Sequence, residues 1–318
     1  MKQAKRIRSQ AYSQTAFRSW RIAAALRATL PTNPTRLVYL GTPDIAVPPL
    51  VELDKAGFEV AMVVTGGDKR RGRGSSTSHS PVKEKALELG LPVTHDLSDL
   101  FDVEFDLGVV VAFGQIIPKN YLEKIPMLNL HFSLLPRWRG AAPVERSILA
   151  GDSTTGVSLM VVEEELDTGG VCASEEVEIG DQTGDQLRQN LVEVGSHMLV
   201  RALQEGLKTP VPQTGSPTYA HKISSKDLHL EWDQPIEEIM NKIRLGGAWT
   251  TFRGARFKIW SASVASSLPE PVGTIIGDQV SGVNGSLQLI EVQAENRGRQ
   301  SFDSWRSGAR LTSEDRFV

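Results

Sequence analysis

Short apolar runs alternate with helical patterns over the first two thirds of the chain. RLVYLG (residues 36–41), FEVAMVV (58–64) and DLGVVVAF (106–113) are short and bounded by turn residues, which predicts buried strands. Between them, the stretch that ends at Gly57 and SPVKEKALELG (80–90) have helical spacing, and the second has a Ser-Pro start and a Gly stop. This alternation predicts an α/β domain with a Rossmann-like, mostly parallel sheet that is covered on both faces.

The pattern changes after residue 206. Residues 207–225 contain three prolines and scattered polar residues, which is typical of a linker. Beyond it, one helix-like stretch precedes the runs RFKIWSASV, VGTIIG and SLQLIEVQ, each bounded by Gly, Pro or Asn. Strand signals without intervening helices predict a small β-barrel or sandwich, of which we expect an OB-like barrel. We therefore expect an α/β domain over residues 35–206, a linker over 207–225 and a β-barrel domain over 226–318.

Basic residues crowd the start of the chain. No Asp or Glu precedes Asp44, although the formal net charge of the whole chain is -3. A segment that is Arg-rich, contains Ser and lacks acidic residues is typical of an organellar targeting sequence. A basic arm without fixed structure, or an extension without a role in the fold, would give the same composition. We set residues 1–34 apart as a basic N-terminal extension, either disordered or helical.

Composition excludes several classes of protein. No apolar run approaches the roughly 18 residues that a membrane span needs. The single cysteine, Cys172, excludes an internal disulfide, and its flanks resemble a buried strand in which a thiol is inert. The histidines are scattered without ligand spacing, so no metal site is expected. The first strand ends in Gly41-Thr42-Pro43 rather than in a glycine-rich phosphate loop, which disfavours a dinucleotide cofactor.

Three polar residues carry the candidate chemistry. Asn129 and His131 lie two apart at the end of the strand-like run MLNLHFS, so their side chains point to the same face. Asp167 follows another strand-like run, TGVSLMVV, and precedes two glycines that permit a tight turn. A hydrogen-bonded core pair and a turn aspartate are the structural alternatives. Open α/β sheets bind ligands at the carboxyl ends of their strands, which favours a functional role.

The three residues together resemble the signature of the folate-dependent formyltransferases. RLVYLGTPD, GDKRRGRG, SLLPRWRGAAP, ILAGDSTTGVSLM and LDTGG are similar, in order and spacing, to the methionyl-tRNA formyltransferases of that family. The resemblance implies transfer of a formyl group from 10-formyltetrahydrofolate to the amino group of methionyl-initiator tRNA. In that reaction Asn129 would stabilise the oxyanion, His131 would move the proton, and Asp167 would fix the histidine tautomer.

The same resemblance implies the residues that bind cofactor and acceptor. The folate-contacting segment of the family matches Ser133, Leu134, Leu135 and Pro136. A basic loop over residues 65–80 is longer than the usual two to six residues and resembles an insertion of the tRNA enzymes. A solvated loop is the alternative interpretation of such a charge run. The residues expected to contact tRNA are Arg70, Arg71, Arg73 and Lys222.

Other functions are compatible with the same residues. A folate-dependent formyltransferase or hydrolase acting on a purine precursor or an amino sugar would use the same three side chains. A nucleic-acid-binding module with a decayed active site would lack folate binding. The segment RWRGAAP, the basic loop and the β domain favour tRNA as acceptor, and no obligate protein partner is implied. The resemblance to bacterial enzymes favours the cytoplasm, with a mitochondrial or plastid matrix as the alternative if residues 1–34 are a transit peptide.

Overall fold

A computed structural model describes residues 29–70, 77–266 and 268–318, with only the backbone at residues 69, 70 and 77. The basic extension therefore lies mostly outside the described residues. The chain folds into two compact units. The first comprises the described residues up to Arg139 together with Gly156–Val177 and Gln189–Thr218, and the second comprises Gly140–Thr155, Glu178–Arg188 and Tyr219–Val318. The boundaries expected at residues 206 and 225 remain predictions.

The first unit is built on a seven-stranded sheet. Strands up to residue 178 are β1 (Arg36–Gly41), β2 (Glu59–Val64), β3 (Lys69–Arg70), β4 (Thr77–Ser78), β5 (Val93–Thr94), β6 (Leu107–Val111), β7 (Met127–His131), β8 (Arg139–Gly140), β9 (Thr154–Val161) and β10 (Val171–Glu178). Helices in the same span and just beyond it are α1 (Val47–Lys55), α2 (Pro81–Glu88), α3 (Lys119–Leu122), α4 (Pro143–Leu149) and α5 (Gly184–Glu205), with 3-10 turns at Asp44–Ala46 and Leu97–Asp102. The strand order is β10-β9-β7-β6-β1-β2-β5.

Most of this sheet is parallel, as predicted. β1 pairs in parallel with β2 and β6, β2 with β5, and β6 with β7, whereas β9 runs antiparallel to β7. Residues 37–40 of β1 are fully buried, as expected for a strand covered on both faces. The chain after β1 first adds β2 and β5 on one side of β1, and it then adds β6 and β7 on the other side. The carboxyl ends of β1 and β6 therefore form the switch point at which such sheets bind ligands.

Local sequence signals explain the ends of the helices. Ser80 caps α2 by accepting a hydrogen bond from the Lys83 backbone N–H at 3.0 Å, and Pro81 occupies the first helical position. Gly90, with φ of 71°, follows the end of the helix in the left-handed conformation that glycine adopts without strain. The Ser-Pro start and the Gly stop of this predicted helix are confirmed.

The second unit contains the predicted β-barrel. Its further strands are β11 (Tyr219–Ala220), β12 (Ala248–Phe252), β13 (Ala255–Ala265), β14 (Ile275–Ile276), β15 (Gln279–Ser281), β16 (Ser286–Ala294) and β17 (Gln300–Ser301), and its further helices are α6 (Ile236–Arg244) and α7 (Phe302–Ala309). The main sheet has the order β12-β13-β16-β15-β14, and β17 pairs with β16. Phe257 and Ile259 of β13 pack in one core with Ile236, Ile239 and Ile243 of α6.

The end of the chain closes this sheet. Phe317 bridges to Phe252 on edge strand β12, and Arg316 bridges to Thr274, next to the opposite edge strand β14. The Phe317 backbone N–H also donates to the Gly273 carbonyl oxygen at 2.9 Å. Gly273 has φ of 79°, and a side chain there would collide with the Phe317 carbonyl. Since both edges are joined through one segment, the strands form a closed barrel.

Among the described residues, none of the helices combines the length and the apolar character that crossing a membrane requires.

Candidate active site

Asn129 and His131 lie on β7, at the carboxyl edge of the sheet. Asn129 is opposite Val110 of β6 and Met160 of β9, and His131 is opposite Ser158. Alternation along the strand places both side chains on one face. Asn129 is half-buried, and its side chain makes no hydrogen bond to any described residue, whereas the His131 side chain is only 6% exposed. An amide donor at this edge that has no partner among the described residues is available to a ligand.

The His131 ring is held between a carbonyl and a carboxylate. Nε2 lies 2.9 Å from the Trp138 carbonyl oxygen, and Nδ1 lies 3.8 Å from Oδ2 of Asp167. A carbonyl oxygen can only accept a hydrogen bond, so Nε2 carries the hydrogen and Nδ1 is the nitrogen that can take up a proton. The structure thus brings His131 and Asp167 together. The contact that fixes the tautomer is made by the Trp138 carbonyl rather than by Asp167. The sequence did not indicate Trp138 for this role.

Both partners of the histidine have unusual backbone conformations. Trp138 has φ of 61° and Asp167 has φ of 53°, in the left-handed region that non-glycine residues rarely occupy. Aspartate tolerates this conformation because its short side chain bonds locally, whereas a tryptophan has no such compensation. Position 169, two residues after Asp167, requires glycine, because a Cβ there would overlap the Val161 carbonyl oxygen at the end of β9. This turn presents the carboxylate to the histidine.

The expected folate segment is a tightly bonded loop. Ser133 is fully buried, and its hydroxyl donates to the Arg137 carbonyl oxygen at 2.6 Å. Ser158 donates to the Ser133 carbonyl oxygen at 2.7 Å and accepts from the Leu135 N–H at 3.2 Å. The side chain of Ser133 is therefore used within the loop. Leu134, Leu135 and Pro136 are half-buried, and a role for these four residues in binding folate remains a prediction.

Residues 111–117, which begin at the last residue of β6, combine buried and exposed positions. Phe113 and Ile117 belong to the hydrophobic core, whereas Ile116 is 90% exposed. The Thr42 hydroxyl, just beyond β1, donates to the Phe113 carbonyl oxygen at 3.0 Å. This bond joins the two strand ends at the switch point. The core positions support the sheet, and Ile116 is the apolar side chain that faces solvent there.

The described part of the basic loop is its base. β3 and β4 pair as a hairpin in which Lys69 is opposite Ser78, and Asp68 precedes the hairpin. Both Asp68 carboxylate oxygens accept hydrogen bonds from Lys83 Nζ at 2.9 Å, and this contact holds the pKa of the carboxyl below its ordinary value. The side chain of Arg70 and all of Arg71 and Arg73 lie outside the described residues.

In the second unit, the basic residues differ in their surroundings. Lys222 is exposed, and its carbonyl oxygen accepts a hydrogen bond from Arg146. Arg253 forms an ion pair with Asp315 and donates to the Ala309 and Arg310 carbonyl oxygens, so it holds the C-terminal segment. Its contacts are those of a structural residue.

One face of the barrel sheet carries aromatic and basic side chains that the sequence analysis largely missed. Arg256 lies 4.2 Å from the centroid of the Trp249 ring, Arg299 lies 3.3 Å from that of Trp260, and Lys258 lies 5.3 Å from the latter. Residues 256, 258 and 260 alternate with buried Phe257 and Ile259 along β13, so they share the outer face. We call these five residues the aromatic-basic face. The alternation of Arg, Lys and Trp in RFKIW was the available signal.

No group of three or more His, Cys, Asp or Glu side chains able to hold a metal occurs within the described ranges. Cys172 is buried in β10, and burial raises the pKa of its thiol to about 11. A thiol in that state is protonated near neutral pH and is a poor nucleophile.

Two families match the chain. The formyl transferase family matches residues 35–203, and the formyl transferase C-terminal domain matches residues 222–310. Similar proteins include the methionyl-tRNA formyltransferase of Symbiobacterium thermophilum, which is 40% identical over 89% of this chain and 95% of its own length. The methionyl-tRNA formyltransferase of Heliobacterium modesticaldum is 37% identical over 89% of this chain and 99% of its own length.

Solved structures share the fold. An N-formyltransferase from Helicobacter canadensis, in complex with folinic acid and dTDP-3-aminofucose, superposes with a TM-score of 0.62 at 17% identity and covers 80% of this chain and 98% of its own. The sugar 3N-formyl transferase WlaRD, determined with dTDP and 5-N-formyl-THF, gives a TM-score of 0.62 at 21% identity over 83% of this chain and 98% of its own. At these identities the likeness concerns the fold alone.

Proposed function

Because this chain belongs to the formyl transferase family, we propose that it transfers the formyl group of 10-formyltetrahydrofolate to the α-amino group of methionyl-initiator tRNA. One observation carries the chemistry. The amide of Asn129 has no hydrogen-bond partner among the described residues, and it shares a strand face with His131, whose Nδ1 lies 3.8 Å from Asp167. Such a grouping suits acyl transfer, which needs an oxyanion donor and a proton acceptor together.

The three side chains divide the work of the reaction. Attack of the amine on the formyl carbon places negative charge on the formyl oxygen, to which Asn129 donates a hydrogen bond from its Nδ2. The proton released by the amine is taken up at Nδ1 of His131, since Nε2 is engaged by the Trp138 carbonyl. The resulting imidazolium lies beside the Asp167 carboxylate, and it gives the proton to N10 of the folate as the oxyanion collapses and the bond between the formyl carbon and N10 breaks. Both side chains are at most 10% exposed, so water screens this interaction little.

The donor site is proposed to be the switch-point crevice. The loop of residues 133–136 and the exposed Ile116 lie after β7 and β6, where open α/β sheets bind their ligands. Ile116 offers apolar surface to a pterin ring. The proposed chemistry requires no metal.

The acceptor is proposed to bind through basic surfaces on each unit. In the first unit these are Arg70, Arg71 and Arg73 of the basic loop. The hydrogen bond from Lys83 to Asp68 holds the base of that loop. In the second unit they are Lys222 and the aromatic-basic face. Arginines stacked on tryptophans suit an RNA, because they offer positive charge to phosphates and flat surfaces to bases. The resemblance to bacterial relatives supports the cytoplasm as the site of action.

Formyl transfer by the purified chain tests this proposal. It should formylate charged initiator tRNA from 10-formyltetrahydrofolate and leave free methionine, glycinamide ribonucleotide and a nucleotide-linked amino sugar unmodified, as measured by mass spectrometry. Formylation of one of the small molecules instead, or release of formate without an acceptor, would refute the assignment of the acceptor. Absence of any folate turnover would refute the proposed enzyme activity.

The contribution of the aromatic-basic face can be measured by the salt dependence of tRNA binding. Arg256→Ala and Arg299→Ala should each weaken binding and reduce the slope of log K against log salt by about one. Lys208→Ala, an exposed lysine outside this face, makes the same change in net charge and should leave the slope unchanged. Equal slopes in all three variants and the wild type would exclude the face from RNA contact.

A further inference from the structure

The segment predicted to be a linker contributes hydrogen bonds to the candidate active site. Residues 211–218, here called the strap, lie within the first unit. Val211 forms an antiparallel bridge with Val171 at the start of β10, with N–H to carbonyl distances of 2.8 and 2.9 Å. Asp167 precedes Val171 by only four residues, so the strap lies beside the turn at Asp167.

Gln213 uses its whole side-chain amide in this region. Its Nε2 donates to the carbonyl oxygens of Asp167 and Gly169, both at 2.9 Å. Its Oε1 accepts from Nε of Arg139 at 3.0 Å and from a terminal nitrogen of the same guanidinium at 2.6 Å. Arginine can only donate and carbonyls can only accept, so the orientation of the amide is fixed by its partners. Gln213 thus holds two carbonyls of the turn that begins at left-handed Asp167.

Thr218 makes the corresponding contacts on the other side of the histidine. Its hydroxyl accepts a hydrogen bond from the Trp138 N–H at 2.9 Å, and its carbonyl accepts from the Arg139 N–H at 2.9 Å. Its own N–H donates to the Pro136 carbonyl oxygen at 3.3 Å. These bonds hold the left-handed Trp138 residue, whose carbonyl oxygen accepts from His131.

We propose that Gln213 and Thr218 are positioning residues for the proposed formyl transfer: Gln213 sets the Asp167 carboxylate and Thr218 sets the Trp138 carbonyl, so that together they orient His131. This inference rests on the proposed function. His131 has one partner on each ring nitrogen, and each partner is a left-handed residue bonded by one strap side chain. Contacts to the residues that touch a catalytic side chain hold that side chain in its productive geometry, and small displacements from this geometry have large effects on rate.

Two pairs of variants separate positioning from general stability. Gln213→Glu can still accept from Arg139 but cannot donate to the two carbonyls, whereas Gln213→Ala loses both contacts. Thr218→Val removes the acceptor of the Trp138 N–H at nearly constant volume, whereas Thr218→Ser keeps the hydroxyl. Ser216→Ala is the matched control, because Ser216 is an exposed strap residue whose side chain makes no hydrogen bond to the described residues.

We expect kcat to fall at least tenfold in Gln213→Glu, Gln213→Ala and Thr218→Val, with KM for both substrates changed less than threefold. Thr218→Ser should restore kcat to within threefold of the wild type, as should Ser216→Ala. Unchanged kcat in all variants, even with a lowered Tm, would show that the strap only stabilises the fold. A rise in KM at constant kcat would also overturn the proposal.

A readout without turnover distinguishes this inference from the proposed function. Long-range ¹H–¹⁵N NMR identifies which nitrogen of a histidine carries the hydrogen, and the signals of His131 are assigned by their loss in His131→Asn. The wild type should show Nε2–H at His131, and Thr218→Val should change the ¹⁵N shifts of that ring while Ser216→Ala does not. Identical ring signals in Thr218→Val and the wild type would refute positioning. Absence of formyl transfer by the wild type would instead refute the proposed function.

Discussion

Removal of the negative charge beside His131 tests the electrostatic part of the mechanism. Asp167→Asn keeps the size of the side chain, and asparagine tolerates the left-handed conformation with φ of 53° that this position requires. The carboxylate lies 3.8 Å from Nδ1 of His131. At about 4 Å two unit charges interact by roughly 4 kcal/mol at an effective dielectric of 20 and by roughly 1 kcal/mol in water.

Burial decides between these limits. The two side chains are 6% and 10% exposed, which favours the larger value. Because each 1.4 kcal/mol corresponds to about tenfold in rate, Asp167→Asn should lower kcat by about 10² to 10³-fold while Tm stays near that of the wild type. Single-turnover formylation of charged tRNA measures the chemical step. A loss below about fivefold, the value expected for a water-screened pair, would show that no charged His131 forms beside Asp167 in the reaction.

Three further outcomes are expected. Asn129→Ala removes an oxyanion donor and should lower kcat by about 10² to 10³-fold at unchanged Tm, and full activity would remove Asn129 from the mechanism. Burial raises the pKa of the Cys172 thiol to about 11, so iodoacetamide at pH 8 should label the folded protein far more slowly than the urea-unfolded chain, and equal rates would contradict the buried position. Arg253 holds the pKa of the Asp315 carboxyl well below its ordinary value, so the stabilisation is present above the unfolded value of about 4 and is lost as pH falls. Asp315→Asn should therefore lower Tm at pH 7, and the difference from the wild type should narrow as the pH falls below about 4 toward the lowered pKa of the folded state; a difference that stays equal between pH 7 and about pH 2 would refute this ion pair's role.

Local patterns were sufficient to predict the sheet. The runs around Val38, Val63 and Val109 are parallel strands, as predicted. A strand that is buried on both faces is apolar along its whole length, so it can be recognised without knowing which strand pairs with it. The common face of Asn129 and His131 follows from the two-residue period of a strand alone. The site could be predicted to this extent because the information lies within five consecutive residues.

The strap and the barrel closure could not be predicted in this way. Gln213 bonds to backbone carbonyls 46 and 44 residues away, and Thr218 bonds to a backbone N–H 80 residues away. Backbone groups are present at nearly every residue, so such partners leave no trace in composition. Three prolines and scattered polar residues gave residues 207–225, which include the strap, the character of a linker. Phe317 closes the barrel through backbone bridges for the same reason.

The polar character of the strap follows from the conformations that it holds. Left-handed Trp138 and Asp167 each cost on the order of 1 to 3 kcal/mol and persist only where surrounding structure fixes them. A hydrogen bond contributes about 0.5 to 1.5 kcal/mol net, and Gln213 makes four in this region. The bonds and the strain are of the same order, so an apolar segment could cover these turns but could not hold them. Without the strap, Trp138 and Asp167 would relax toward ordinary backbone conformations and His131 would lose the orientation that the proposed proton transfer requires.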